Sequence, residues 1–103
     1  MTGASAAIFF NDVLAIGALE RFRELNVGIP TDISVMGCDD IFGASFCVPA
    51  LTTVTSPGEI VGQVAADLLI SLLSDGAVSP PVIRRFSPHL TIRESTGPAP
   101  SAQ

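Results

Sequence analysis

Residues 6–40 read AAIFFNDVLAIGALERFRELNVGIPTDISVMGCDD, and the order of patterns within them sets the fold class. Ala6–Phe10 is a continuous apolar run, which suits a strand buried on both faces, as parallel strands are. Asn11 and Asp12 end it, and either side chain can accept from the free N–H groups of a first helical turn. From Val13 to Leu25 the apolar residues Val13, Leu14, Ile16, Gly17, Leu19, Phe22 and Leu25 recur at spacings of about three and four. Glu20, Arg21, Arg23 and Glu24 take the opposite face. Asn26–Pro30 supplies a helix stop and a proline that cannot continue it. Ile33–Gly37 is a second buried strand, and strand, helix, strand with a short return is the unit of a parallel sheet.

Working outward, Ile41–Pro49 is mixed, Leu51–Val54 returns to a β-type run, and Ser56–Pro57 breaks it. Glu59–Leu73 predicts a second amphipathic helix with a stripe of Ile60, Val64, Ala65, Leu68, Leu69 and Leu72. Ser74–Pro81 is a turn-rich link, Arg85–Arg93 reads as a strand around Phe86, Leu90 and Ile92, and Gly97–Gln103 as a frayed tail. In open α/β sheets the ligand crevice lies beyond the carboxyl ends of the strands, so Asn11–Asp12 and Asp39–Asp40 fall on one expected rim.

Composition narrows the function. Ten acidic residues against five Lys+Arg give a net charge of −5, and the arginines are dispersed, so direct nucleic-acid binding and membrane-surface attachment are disfavoured. No apolar stretch reaches a membrane span and no signal peptide opens the chain, which points to the cytoplasm. Cys38 and Cys47 have no CxxC or neighbouring His, so two buried thiols in a reducing compartment are expected and neither a metal nor a cofactor. His89 lies between Pro88 and Leu90 without a catalytic partner at a recognisable spacing, and Asp39 and Asp40, being adjacent, cannot easily share a substrate as an acid/base dyad. No phosphate loop or nucleophile elbow is present, and the expectation is a non-enzyme.

The ordered set Asn11–Asp12, Ala15–Leu19, Val27–Pro30, Asp32–Val35, Gly37–Asp40, Pro49–Val54 and Ile92–Thr96 resembles the C-terminal segment of LacI/GalR-family transcriptional regulators over roughly residues 4–97. The resemblance implies a partial periplasmic-binding-protein-like (Rossmann-like) three-layer α/β/α lobe with parallel strands, plus a crossover helix of the second lobe. Residues 4–54 would be the C-terminal-lobe segment, 55–80 the crossover and helix of the other lobe, 81–96 the returning strand, and 97–103 a flexible tail. It also implies that the helix-turn-helix lies outside this sequence, so that DNA is reached only through that absent unit.

On the same footing, Asn11 and Asp39 are the expected ligand contacts, because an amide and a carboxylate together offer donors and acceptors to adjacent sugar hydroxyls. Asn11 serves equally well as a helix cap, Asp12 suits a cap or support group, and Asp40 a structural or solvated one. Ser56 stands where some relatives reach the ligand from the crossover, though turn capping competes. Leu14, Ile16, Phe46 and Val48 match positions of the homodimer face, against the alternative that some fill the core. The reading is thus effector binding and dimerisation, with a sugar-type ligand held weakly because one lobe's contacts are missing. A fragment of a periplasmic sugar-binding protein of an ABC transporter is the alternative. A self-associating or domain-swapped unit, driven by an unpartnered helix and open sheet edges, is a third.

Overall fold

The computed structural model describes residues 3–75 and 81–100. Along the chain it contains β1 (Ala6–Ile8), α1 (Asp12–Glu24), β2 (Ser34–Cys38), a 3₁₀ turn (Phe42–Ser45), β3 (Thr52–Thr55), α2 (Gly58–Asp75) and β4 (His89–Thr91). The strands form one sheet in the order β1-β2-β3-β4. β1, β2 and β3 run parallel, and β4 closes antiparallel on β3 with Thr53 opposite Thr91 and Thr55 opposite His89. The sheet is therefore mixed, its last strand returning against the direction of the first three.

Two compact units divide the chain. One comprises Met1–Thr55 with His89–Gln103 and the other Ser56–Pro88. In the first, α1 packs on β2, and the buried core is Ala15, Leu19, Val35, Ala44 and Leu51, with Phe9, Ile16, Phe22, Ile29 and Cys47 against it. The buried arc of α1 follows Asp12, Ala15 and Leu19, continued by half-buried Phe22, a spacing of three, four and three that repeats the helical period. Val13, Leu14 and Leu25 lie off this arc and are exposed. Asn11 caps the helix, its side chain accepting from Leu14 N at 2.9 Å. Asp12 in the first turn and Arg21 and Arg23 in the last complement the helix dipole.

Three expectations change. Among the described residues β1 is an edge strand rather than a strand buried on both faces: it pairs there with β2 alone, and Ile8 is 75% exposed. An apolar run alone does not say how many neighbours a strand has. Of the 85–93 strand only His89–Thr91 forms, directly after Pro88, which lacks a ladder donor; 81–88 carry no regular structure. The frayed tail is tied down at its start, where Gly97 N donates to Ser34 Oγ at 3.1 Å; residues 101–103, and 76–80 of the turn-rich link, lie outside the described residues.

In the second unit, α2 begins as Gly58 N donates to Ser56 O (2.8 Å) and Val61 N to Pro57 O (3.0 Å). Val64 and Leu68 are its half-buried residues, while Ile60, Leu69, Ile70 and Leu72 are exposed, so the helix is apolar around most of its girth rather than along one stripe. Val64 and Leu68 border a cavity of about 490 Å³ whose lining includes Asp67, Arg84, Arg85 and Phe86.

Candidate functional site

β1 ends at Ile8, opposite Met36, while β2 runs two residues further to Cys38. Their last register pair is Ile8 with Met36, and Asn11 and Asp39 each lie three residues beyond it. Asn11 and Asp39 thus each follow the carboxyl end of one of two adjacent parallel strands, which lie about 4.8 Å apart where they pair. The Asn11 carboxamide oxygen is committed to the cap, whereas its nitrogen has no partner among the described residues. Capping and ligand contact are thus compatible in one side chain. The Asp39 side chain is exposed and likewise has no partner among the described residues.

Beneath this rim sits Asp12, fully buried. Its Oδ1 accepts from Thr53 Oγ1 at 2.6 Å and its Oδ2 from Ile41 N at 2.9 Å. The first residue of α1 thereby holds β3 and the loop leaving β2. Gly37 makes room for it: a side chain there would collide with Asp12 Oδ1 and reach 3.2 Å from its Cα. Asp12 is the support group the sequence suggests, but a buried one.

The loop it holds is conformationally unusual. Asp39 has φ 108° and Asp40 φ 57°, two consecutive non-glycine residues in the left-handed half of the map. Such residues cost on the order of 1–3 kcal/mol each and persist only where their surroundings determine them. Here Asp39 N donates to Val54 O (2.9 Å), and Asp40 Oδ1 pairs with Arg93 Nη1 (2.8 Å). Asp40 Oδ2 accepts from Thr55 Oγ1 (3.0 Å), and Thr55 Oγ1 also bonds Thr91 Oγ1. Arg93 Nη1 donates further to Leu51 O at 3.0 Å. Asp40 is structural, as expected; its partner was not evident from sequence.

The Arg93 guanidinium, hydrogen-bonded to Asp40, holds that carboxyl below the usual aspartate range, helped by Thr55 and by the charge of nearby His89 and opposed by burial. A depressed folded value contributes stability that is fully present above the unfolded value of about 3.9 and is lost as pH falls through the folded one. Arg93, His89 and Asp39 are the ionisable groups around it. Urea titrations from neutral pH downward should therefore show wild type losing stability below about pH 4 more steeply than Asp40→Asn. Parallel curves for the two proteins would contradict the pairing.

Ser56 is exposed and opens the second unit, where it borders a groove with Pro57, Glu59, Ile60 and Gln63. Of the four residues expected at a dimer face, Leu14, Phe46 and Val48 are exposed, Val48 to 88%, and Phe46 meets Phe42 edge-on at 4.8 Å; Ile16 is half-buried against the core. Cys38 and Cys47 are free and half-buried rather than fully buried. Burial pushes the Cys47 thiol up, and it donates to Ala44 O (3.5 Å) and Pro49 O (3.3 Å), so it stays protonated. Among the described residues no trio of His, Cys, Asp or Glu is placed to hold a metal ion, and no helix is long and apolar enough to cross a membrane.

Residues 2–96 match the periplasmic binding protein-like domain family. The chain is 38% identical over 87 residues to the lactose operon repressor of Rhizobium radiobacter, covering 84% of this chain and 70% of that protein. It belongs to the LacI family of regulators. A second LacI-type relative, the HTH-type transcriptional regulator MalR of Streptomyces coelicolor, is 36% identical over 96 residues, 93% of this chain but 28% of its own length. Among solved structures, the complex of the transcriptional regulator CelR with cellobiose superposes with a TM-score of 0.83 at 30% identity, over 90% of this chain and 28% of that one. The mixed four-stranded α/β sheet is thus the LacI-type, periplasmic-binding-protein-like fold, and these relatives are regulators rather than enzymes or transport components.

One support of this LacI-type rim and one at the opposite end of the sheet escaped the sequence. Arg93 pairs with Asp40 across more than fifty residues of chain, a contact no local pattern encodes. Buried Ser95 bonds Thr52 N and Val35 O. The one signal for Asp12 was positional, since it falls on the same helical arc as Ala15 and Leu19.

Proposed function

We propose that this chain forms part of the effector-binding and dimerising module of a LacI-type transcriptional regulator, without catalytic activity, acting in the cytoplasm. Its ligand is a small polyhydroxylated molecule of the sugar class. Asp39 accepts from adjacent hydroxyls, the Asn11 amide nitrogen donates, and Ser56 adds a third polar contact from the crossover. The observation that carries this reading is that two polar groups without a partner among the described residues, the Asp39 carboxylate and the Asn11 amide nitrogen, follow the carboxyl ends of neighbouring strands. The fully supported loop beneath Asp39 favours it too, because a preorganised acceptor loses little freedom on binding.

In this reading residues 4–55 and 89–97 belong to one lobe and 56–88 to the crossover and helix of the other, so that 81–88, expected with the returning strand, go with the helix. Leu14, Phe46 and Val48, with Ile16 behind them, form the face for a second copy, and DNA is contacted by a unit outside these residues. The dispersed arginines and the net charge of −5 leave no cationic face for it here.

Calorimetric titration with cellobiose, monosaccharides and nucleosides tests the ligand assignment. A sugar is expected to bind weakly, with Kd on the order of 1 mM, and Asp39→Asn to weaken it about tenfold. Sugar binding that survives Asp39→Asn unchanged, or tight binding of a nucleoside alone, would contradict it. Light scattering tests the face: Phe46→Asp with Val48→Asp should convert dimer to monomer, and an unaltered dimer would remove it from the proposal.

A further inference from the structure

Asp39 could be presented by the fold in a simpler way. A turn with positive φ is ordinarily given to glycine or asparagine, yet two aspartates occupy it here, at φ 108° and 57°. Tracing what keeps them there leads away from the loop. Asp39 N is bonded to Val54 O and Ile41 N to Asp12, so both flanks are fixed by backbone donors. Between them, Asp40 N makes only a 3.4 Å contact to Thr53 Oγ1, and the residue is held instead through its carboxylate. One oxygen takes Thr55 Oγ1 at 3.0 Å, the other the Arg93 guanidinium at 2.8 Å. Both side chains of the ion pair are about four-fifths shielded from water, at 19% and 21% exposure, so the pair is little screened. Arg93 is itself anchored, its backbone N donating to Thr52 Oγ1 at 2.9 Å and its guanidinium to Leu51 O.

We propose that Arg93 is a positioning residue for the candidate ligand site: acting through Asp40, it locks the left-handed turn that presents the Asp39 carboxylate at the rim. Its effect on ligand rests on the effector-binding reading above; its effect on the turn does not. Asp40 serves as the intermediary and touches no ligand. The residue that shapes the rim therefore comes from just beyond β4, a segment distant in sequence from both strand ends.

The test separates the two parts. In the isotope-labelled full chain, the three-bond HN–Hα couplings and Cβ shifts of Asp39 and Asp40 report φ by nuclear magnetic resonance. Arg93→Gln is expected to move both residues toward ordinary negative φ while Val35 and Leu19, reporters of the core, keep their shifts. Arg93→Lys, which retains a cation near Asp40, should stay close to wild type. A folded Arg93→Gln chain with unchanged Asp39 and Asp40 couplings overturns the proposal. If Arg93→Gln does not fold, Asp40→Asn carries the same comparison, because it removes the charge at constant size; unchanged couplings there overturn it equally.

With cellobiose as probe, Arg93→Gln should weaken binding about tenfold. The double variant Asp39→Asn/Arg93→Gln should bind no more weakly than Asp39→Asn alone, as expected when one residue acts through the other. Fully additive losses would show that Arg93 acts independently of Asp39 and overturn the proposal. If wild type binds no cellobiose, the couplings alone decide the positioning role, and only the sugar assignment fails.

Discussion

Replacing Gly37 by alanine is expected to destabilise the chain by about 3 kcal/mol, although the change adds one methyl group to a strand. A Cβ at this position would collide with Asp12 Oδ1 and lie 3.1 Å from Leu51 Cδ2 and 3.2 Å from the Asp12 Cα. The obstacle is a side-chain oxygen, but not one free to swing away. Asp12 is fully buried, its two oxygens accept from Thr53 Oγ1 and Ile41 N, and its backbone starts α1. Moving it breaks hydrogen bonds to a charged group, each worth roughly 1.5–3 kcal/mol, or pushes the helix off β2.

Asp12→Ala should cost a similar amount, about 3 kcal/mol, by orphaning the Thr53 hydroxyl and the Ile41 N–H. The double variant is the discriminating case. Once Asp12 is truncated the added methyl has space, so Gly37→Ala/Asp12→Ala should fall short of additivity by at least about 1 kcal/mol. Urea unfolding followed by far-ultraviolet circular dichroism reads all three. A Gly37→Ala variant within about 0.5 kcal/mol of wild type would mean that Asp12 does not occupy the space over Gly37.

What the sequence disclosed and what it hid divide along a physical line. The helix start at Asn11–Asp12, the α1 periodicity and the β2 run are local signals, each readable within one or two turns of chain, and the elements formed within a residue or two of where those signals place them. The exposure of β1 was not readable, because the number of neighbours a strand acquires depends on chain far from it. The same holds at the rim. Asn11 and Asp39 could be placed there because each follows the carboxyl end of a parallel strand, three residues past the last pair of β1 with β2. That Asp12 is buried, that residues 39 and 40 turn left-handed, and that Arg93 neutralises Asp40 are consequences of tertiary packing. A pair of adjacent aspartates looks the same on paper whether one is stapled and the other free, or both are solvated.

Ser95→Ala is expected to cost about 3 kcal/mol, more than its place near the C-terminus suggests. β2 and β3 pair directly only from Met36 opposite Thr52 onward. Upstream the strands part, and Ser95 fills the opening. Its carbonyl accepts from Val35 N at 2.9 Å and its own N–H donates to Ala50 O at 2.9 Å. Its hydroxyl donates to Val35 O at 2.6 Å while accepting from Thr52 N at 2.8 Å. One fully buried hydroxyl thus satisfies a donor on one strand and an acceptor on the other. Alanine removes the partner of both, and each buried group left unpaired costs roughly 1–3 kcal/mol. Ser45→Ala provides the contrast: its hydroxyl is exposed and its contact to Phe42 O is a long 3.5 Å, so its loss should stay within about 0.5 kcal/mol. Hydrogen exchange locates the damage, with the Thr52 amide expected to lose protection beyond the global change while Leu19, in the middle of α1, follows the global change alone. Equal effects of the two serine substitutions, or a Thr52 amide that exchanges no faster than the rest of the core, would show that the strands close the opening without Ser95. The serine of the Arg93–Glu94–Ser95–Thr96 run would then mark the family without supporting the sheet.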